Sequence, residues 1–373
     1  MLFAPTQIGG LDLKNRLVRS ATYDGGGDRR GHVTDWQIGI YEKLARGGAG
    51  LIVTGLFSVH PTGRLAGHQN IISDDGAVDG LGRLAAAVHR HGGKIAVQLA
   101  HGGRECHAYQ TYRGRPALAP SQVENDPHCD HPHRALTGAE IEEIVASFGT
   151  AAGRVREAGC DAVQLHGAHA YLVSQFLSHA SNRRNDRWGG SLEGRSHFLS
   201  EVYLAMRQRV GEDFPLLIKL GVEDGFPDGL RFAEGKTIAE KCMHLGFDAV
   251  EVSSGLRGQS YTETEFRTGI RNPEEEAYFR SWAAEIRQTA SAPIIMVGGM
   301  RRVATLRGIL DNGEADLVAL SRPLICEPDL IARWHSGNEA PSRCISCNQC
   351  FENLLKGRRL GCVVSGAGDP PQD

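Results

Sequence analysis

Residues 140–166 read EIEEIVASFGTAAGRVREAGCDAVQLH. Within Glu140–Glu157, the residues Ile141, Ile144, Val145 and Phe148 recur at helical spacing, so one apolar stripe turns inward. Gly159 stops that helix, because glycine takes a left-handed backbone at a helix end without steric cost. Ala162–His166 is then a short apolar run, as expected of a strand covered on both faces.

The same helix-then-strand unit recurs along the chain. Strands are predicted at Leu17–Ala21, Ala49–Thr54, Lys94–Leu99, Ala162–His166, Leu216–Leu220, Ala249–Ser253, Pro293–Val297 and Ala315–Leu320. Further helices are predicted at Leu192–Val210 and Phe232–Leu245. Eight strands alternating with helices favour a closed (β/α)8 TIM barrel, an α/β fold, over an open doubly wound sheet. Two segments break the alternation. Residues 101–136, after the third strand, form a polar insertion rich in Pro, His and Arg, placed where a lid or substrate-recognition segment belongs. From Pro341 a cysteine-rich tail follows, so the expected division is a barrel over 1–340 and a tail over 341–373. The closing residues 366–373 are expected to be disordered unless docked.

Composition narrows the function classes. The chain has 373 residues, 41% hydrophobic and 23% charged, with a net charge of −3. That balance predicts neither a nucleic-acid footprint nor attraction to anionic membrane. No apolar stretch is long enough to span a bilayer, and the N-terminus lacks a signal-peptide pattern, so a cytoplasmic location is expected. A homo-oligomer is compatible with this composition. Of nine cysteines, Cys106, Cys129, Cys160, Cys242 and Cys326 are scattered, while Cys344, Cys347, Cys350 and Cys362 crowd the tail. In a reducing compartment such crowding reads as metal ligation before disulfides.

Two groups of residues carry chemistry. Gly298-Gly299 closes the seventh strand and Ser321-Arg322 the eighth, which is where barrels of this kind grip phosphate. Glycine frees backbone N–H groups to approach the anion, and Arg322 adds a forked cation. After the fourth strand, His166 and His169 stand three residues apart, with Tyr171 following. Two imidazoles there can donate to one developing oxyanion, and the phenol can give a proton. A zinc pair is the competing reading of His-x-x-His, although no third ligand lies nearby in sequence.

Several stretches resemble the Old Yellow Enzyme family. They are Pro5-x-x-Ile8-Gly9, Leu13-Lys14-Asn15-Arg16-Leu17, Gln98-Leu99-x-His101-x-Gly103-Arg104, the His166/His169/Tyr171 run and Phe176-Leu177-Ser178. The long run from Asn182 through Trp188-Gly189-Gly190 to Arg195 follows that family's signature, and the match extends in order from Leu2 to about Leu330. The resemblance implies non-covalent FMN in a (β/α)8 barrel and reduction of activated C=C bonds with NAD(P)H. It implies flavin contacts from Ser20, Ala21 and Thr22 after the first strand, and from Gly55 after the second. Gln98 would meet the polar edge of the ring, and Gly298, Gly299, Ser321 and Arg322 would hold the phosphate. Lys219 lies where many relatives carry Arg; as a point charge it can still stabilise an anionic reduced flavin.

The tail extends the resemblance. Cys344-x2-Cys347-x2-Cys350-x11-Cys362 looks like the [4Fe–4S] segment of the branch that contains trimethylamine dehydrogenase and 2,4-dienoyl-CoA reductase. Zinc is the alternative occupant, and free thiols the bland one. Long relatives continue into further flavin- and nucleotide-binding domains, so a cluster here is expected to need an external redox partner, to be structural, or to have been lost.

Within the family, the sequence favours an enone or enoate substrate over amine demethylation. Thr54-Gly55-Leu56-Phe57 carries a leucine where an aromatic cage residue is expected, and His166 stands where the amine branch has tyrosine. Tyr23 narrows the substrate-side pocket, stacks near the flavin, or simply packs at the barrel rim. The run His128-Cys129-Asp130-His131-Pro132-His133 reads as a solvated loop. The remaining alternatives are a flavin/Fe–S electron-transfer subunit, an amine-dehydrogenase-like enzyme and a metal-dependent barrel hydrolase.

Overall fold

The structure is a computed structural model that describes residues 1–124, 126–260 and 263–366. Eight parallel strands close into a barrel in chain order. They are β1 (Leu17–Arg19), β2 (Leu51–Ser58), β3 (Lys94–Ala100), β4 (Ala162–Gly167), β5 (Leu216–Gly221), β6 (Ala249–Ser253), β7 (Ile294–Met296) and β8 (Leu317–Leu320). Closure comes from β8 against β1, with Val318 opposite Leu17 and Leu320 opposite Arg19. Strand β2 runs four residues past its expected end. Its register slips between Val53 and Leu56, and this bulge lets pairing with β3 resume beyond Gly55.

The main helices outside the barrel are α1 (Asp35–Arg46), α2 (Ala77–His89), α3 (Gly138–Glu157), α4 (Leu192–Val210), α5 (Phe232–Leu245), α6 (Arg280–Arg287), α7 (Val303–Asp311) and α8 (Leu330–His335). Helix α3 begins two residues before the expected Glu140 because Thr137 caps it. The Thr137 hydroxyl accepts the Glu140 N–H, and the Glu140 carboxylate accepts the Thr137 N–H at 2.9 Å.

The apolar residues form two layers. Inside the barrel, Val18, Val53, Ala96, Leu217, Ile295 and Leu317 pack with Ile8 and Leu13, which belong to the N-terminal hairpin Thr6–Ile8/Leu11–Leu13. That hairpin plugs the end where the strands begin, leaving the opposite mouth open. Between strands and helices lies the larger layer, where fully buried Phe148, Phe176, Phe198 and Trp334 are anchored. Each such side chain contributes about 1.5–3 kcal/mol relative to exposure.

The insertion after β3 is more structured than a solvated loop. It carries a short helix, His107–Tyr112, and a parallel strand pair, Ala117–Ala119 with His133–Ala135. His128 stacks on Phe226 with ring centroids 3.4 Å apart, and His131 stacks on His107. The reading of 128–133 as solvated therefore holds for residues such as exposed Asp130 but fails for His128 and His133. The tail docks on the barrel: the Ser342 N–H donates to the Arg301 carbonyl, and the Leu360 N–H donates to the Asp24 carbonyl, each at 2.9 Å. From Ala367 onward it lies outside the described residues. Among the described residues, no helix is long and apolar enough to cross a membrane.

Candidate active site

The open mouth of the barrel holds a cleft lined by residues from the strand exits. The strand exits deliver the expected side chains to it. Ser20, Ala21 and Thr22 arrive from β1, Gln98 from β3, His166, His169 and Tyr171 from β4, and Lys219 from β5. Gly299 follows β7, and Ser321 and Arg322 follow β8. Tyr23 lines the cleft too, so it is not mere rim packing.

Two expected contacts do not face the cleft. Gly55 sits in the β2 bulge, where its N–H donates to the Tyr41 hydroxyl at 2.8 Å. A Cβ there would come 2.8 Å from the Thr22 carbonyl oxygen, so this glycine lets β2 pass close behind the exit of β1. Gly298, at φ 138°, is backed by the Tyr278 ring and turns the chain so that Gly299 reaches the cleft.

Beneath the cleft lies a buried polar chain. Gln98 Nε2 donates to Gln164 Oε1 at 2.8 Å, and Gln164 Nε2 donates to Glu251 Oε2 at 2.8 Å. The other oxygen of Glu251 receives the Ser20 hydroxyl at 2.7 Å and the Lys219 ammonium at 2.9 Å. Lys219 also donates to Ser20 Oγ at 2.7 Å. Lys219 and Glu251 are both withdrawn from solvent, which a charge tolerates only when paired.

The imidazoles of His166 and His169 meet edge to face with centroids 4.9 Å apart, and His166 lies 4.6 Å from the Tyr171 ring. His169 and Ala170 take left-handed backbone (φ 56° and 63°), a conformation L residues adopt at a cost, held here by N–H bonds to the Ser254 and Gly255 carbonyls. Burial drives both histidines well below the ordinary imidazole range, reinforced at His166 by His169 and Lys219 and at His169 by Lys219 and Arg257. Both are neutral donors at neutral pH. His166 Nδ1 accepts the Ala168 N–H at 3.3 Å, which assigns the proton to Nε2, and His169 Nε2 pairs with the Ser253 hydroxyl at 2.8 Å. Burial pushes the Tyr171 phenol up to about 12, with Arg257 opposing.

Sequence reasoning missed the roof. Arg257, in the loop after β6, lines the cleft with Glu265 and Phe266. Its guanidinium grips Glu265 at 2.7 and 2.9 Å and reaches Glu105, from the insertion, at 3.1 Å. Glu251 had a visible signal, a carboxylate in the middle of the apolar strand Ala249–Ser253; Arg257 had none.

After β8, Arg322 Nη1 donates to the Arg267 carbonyl at 2.8 Å and to Asn348 Oδ1 of the tail at 2.5 Å. Arg301 lines the cleft as well, and its buried Nε has no hydrogen-bond partner among the described residues. The cleft thus combines amide and ammonium donors, the apolar Leu56, Val297 and Met300, and a glycine turn with two guanidiniums. That combination fits a flat ring with one polar edge and a phosphorylated side chain.

The four tail cysteines line one small cleft, walled by Ile345, Val363 and Val364 and bordered by the same Arg322. Cys326, expected to be isolated, packs with Cys344 and Cys362. Burial raises the Cys344 thiol and takes Cys350 up to about 11. Among the described residues, no three His, Cys, Asp or Glu groups converge tightly enough to hold one metal ion. A cubane seats each thiolate on a different iron, and four thiols lining one cleft are the donor set such a cluster takes.

The chain belongs to the NADH:flavin oxidoreductase / NADH oxidase family, whose model matches residues 1–340. It is 36% identical to a metal reductase of Desulforamulus reducens over 98% of this chain and 53% of that protein. It is likewise 36% identical to an NADPH dehydrogenase of Geobacillus sp., over 88% of this chain and 92% of that one. Against the metal reductase, and an NADH oxidase of Thermoanaerobacter brockii of which it covers 56%, the chain spans about half the relative's length. Among solved structures, 2-naphthoyl-CoA reductase superposes with a TM-score of 0.90 at 28% identity, over 97% of this chain and 56% of that one. Morphinone reductase superposes with 0.75 at 29% identity, over 90% and 91%.

Proposed function

We propose that the chain is an FMN-dependent ene-reductase acting on an α,β-unsaturated carbonyl compound, with NAD(P)H as reductant. The observation that carries this reading is the neutral His166/His169 pair beside a protonated Tyr171 in one cleft. Bound FMN would take hydride equivalents from NAD(P)H and supply them to the substrate. Gln98, Lys219, Ser20 and Thr22 would hold its polar edge, and Gly299, Ser321, Arg322 and Arg301 its phosphate. The two imidazoles donate hydrogen bonds to the substrate carbonyl oxygen, drawing electrons from Cβ without adding a full charge. Tyr171 delivers the proton to Cα and is reprotonated from solvent, so hydride and proton together saturate the bond. Leu56 in the cleft, in place of an aromatic ring, speaks against a cation–π cage for an amine.

Stopped-flow kinetics of the two half-reactions test this. His166→Ala or His169→Ala should slow enone reduction by on the order of 10²–10³, while flavin reduction by NAD(P)H changes little. Equal losses in both would assign the histidines to shaping the flavin site.

A second role is supported by the cysteine cleft sharing Arg322 with the flavin cleft. A [4Fe–4S] cluster held by Cys344, Cys347, Cys350 and Cys362 would pass electrons between flavin and a redox partner protein.

A further inference from the structure

Glu251 is the one carboxylate inside the barrel wall beneath the cleft among the described residues, and it is 0% exposed. Both its oxygens are engaged, one by Gln164 and the other by Ser20 and Lys219. Lys219 faces the cleft on one side and this carboxylate on the other. A lone ammonium so withdrawn from solvent would stand as an uncompensated positive charge. The same carboxylate orients two amides. Gln164 must turn its N–H toward Glu251, so its oxygen accepts from Gln98, whose own N–H is thereby drawn inward.

We propose that Glu251 is a positioning residue for the cofactor edge: it anchors the Lys219 ammonium and offsets its charge, so the cleft offers a bound flavin a hydrogen-bond donor without a net cation. This rests on the flavin reading above. A site built on an unpaired arginine would stabilise negative charge on reduced flavin more strongly; the Lys219–Glu251 pair holds the potential down.

The test is the two-electron midpoint potential of the FMN-loaded protein, measured by dye-coupled reduction. Glu251→Gln should raise it by the equivalent of a tenfold or greater shift in the reduction equilibrium, about 30 mV. Lys219→Met should lower it, and the double variant should return toward the wild type, because the two charges oppose one another. If Glu251→Gln does not accumulate as folded protein, Glu251→Asp carries the test, with a smaller rise as the carboxylate withdraws by one methylene. An unchanged or lowered potential in the FMN-loaded Glu251 variant overturns the proposal. A wild type that takes up no FMN overturns the flavin reading instead, so the two failures are distinguishable. A merely structural Glu251 would weaken FMN binding without moving the potential upward.

Discussion

The Arg257 guanidinium lies 5.8 Å from the centroid of the Tyr171 ring, while its own charge is held by Glu265 and Glu105. It is the group that opposes the burial-driven rise of the Tyr171 phenol. Replacing it with methionine leaves two carboxylates near the tyrosine and makes the phenol a weaker acid. The protonation step should slow by on the order of tenfold, about 1.4 kcal/mol in barrier. Solvent isotope effects on enone reduction should grow accordingly, and Arg257→Lys should restore part of the rate. Unaltered isotope effects in Arg257→Met would show that Arg257 only braces the roof.

Arg322→Ala removes the strongest candidate grip on the phosphate. A charge-assisted bond is worth roughly 1.5–3 kcal/mol, so the FMN dissociation constant should rise by about 10- to 150-fold. Fluorescence titration of the apoprotein reads this directly. Because Arg322 also holds Asn348, the tail of the same variant should be cleaved faster by protease.

The two cleft histidines make stability depend on pH in a set direction. Their native pKa values are depressed, so below the unfolded value, about 6.5, the unfolded chain binds more protons than the native one. Stability therefore rises with pH up to about 6.5 and levels off above it. Urea midpoints from pH 4.5 to 8 should show that slope, and His169→Ala should flatten it. An equal slope in the variant would move the origin to other groups.

Protein purified without oxygen should contain about four iron and four sulfide per chain if the tail thiolates hold a cubane. Cys347→Ser should lose both. Zinc near one per chain would make the tail a structural site. Protein lacking both metals would remove the electron-relay role and leave the ene-reductase reading intact.

Much of the barrel was legible because its signals are local. Helices α4 and α5 match their expected bounds residue for residue, since each apolar stripe ends at a glycine, Gly211 or Gly246. Most residues read at strand exits line the cleft, because a strand end fixes where its neighbours point. What escaped depends on contacts distant in sequence. Arg257 pairs with Glu105 across 152 residues, and no periodicity announces that. Gly55 was misplaced because a bulge carries β2 onward, and Cys326 was set aside because its partners lie beyond the last barrel helix.

Arg322 borders both the flavin cleft and the cysteine cleft, with one nitrogen committed to the tail. Linkage then runs both ways. Whatever factor metal loading of the tail applies to flavin affinity, flavin must apply to metal affinity. If the tail holds an iron–sulfur centre and the two centres favour each other, a chain stripped of one would shed the other more readily, and reconstitution would succeed best with iron, sulfide and FMN supplied together.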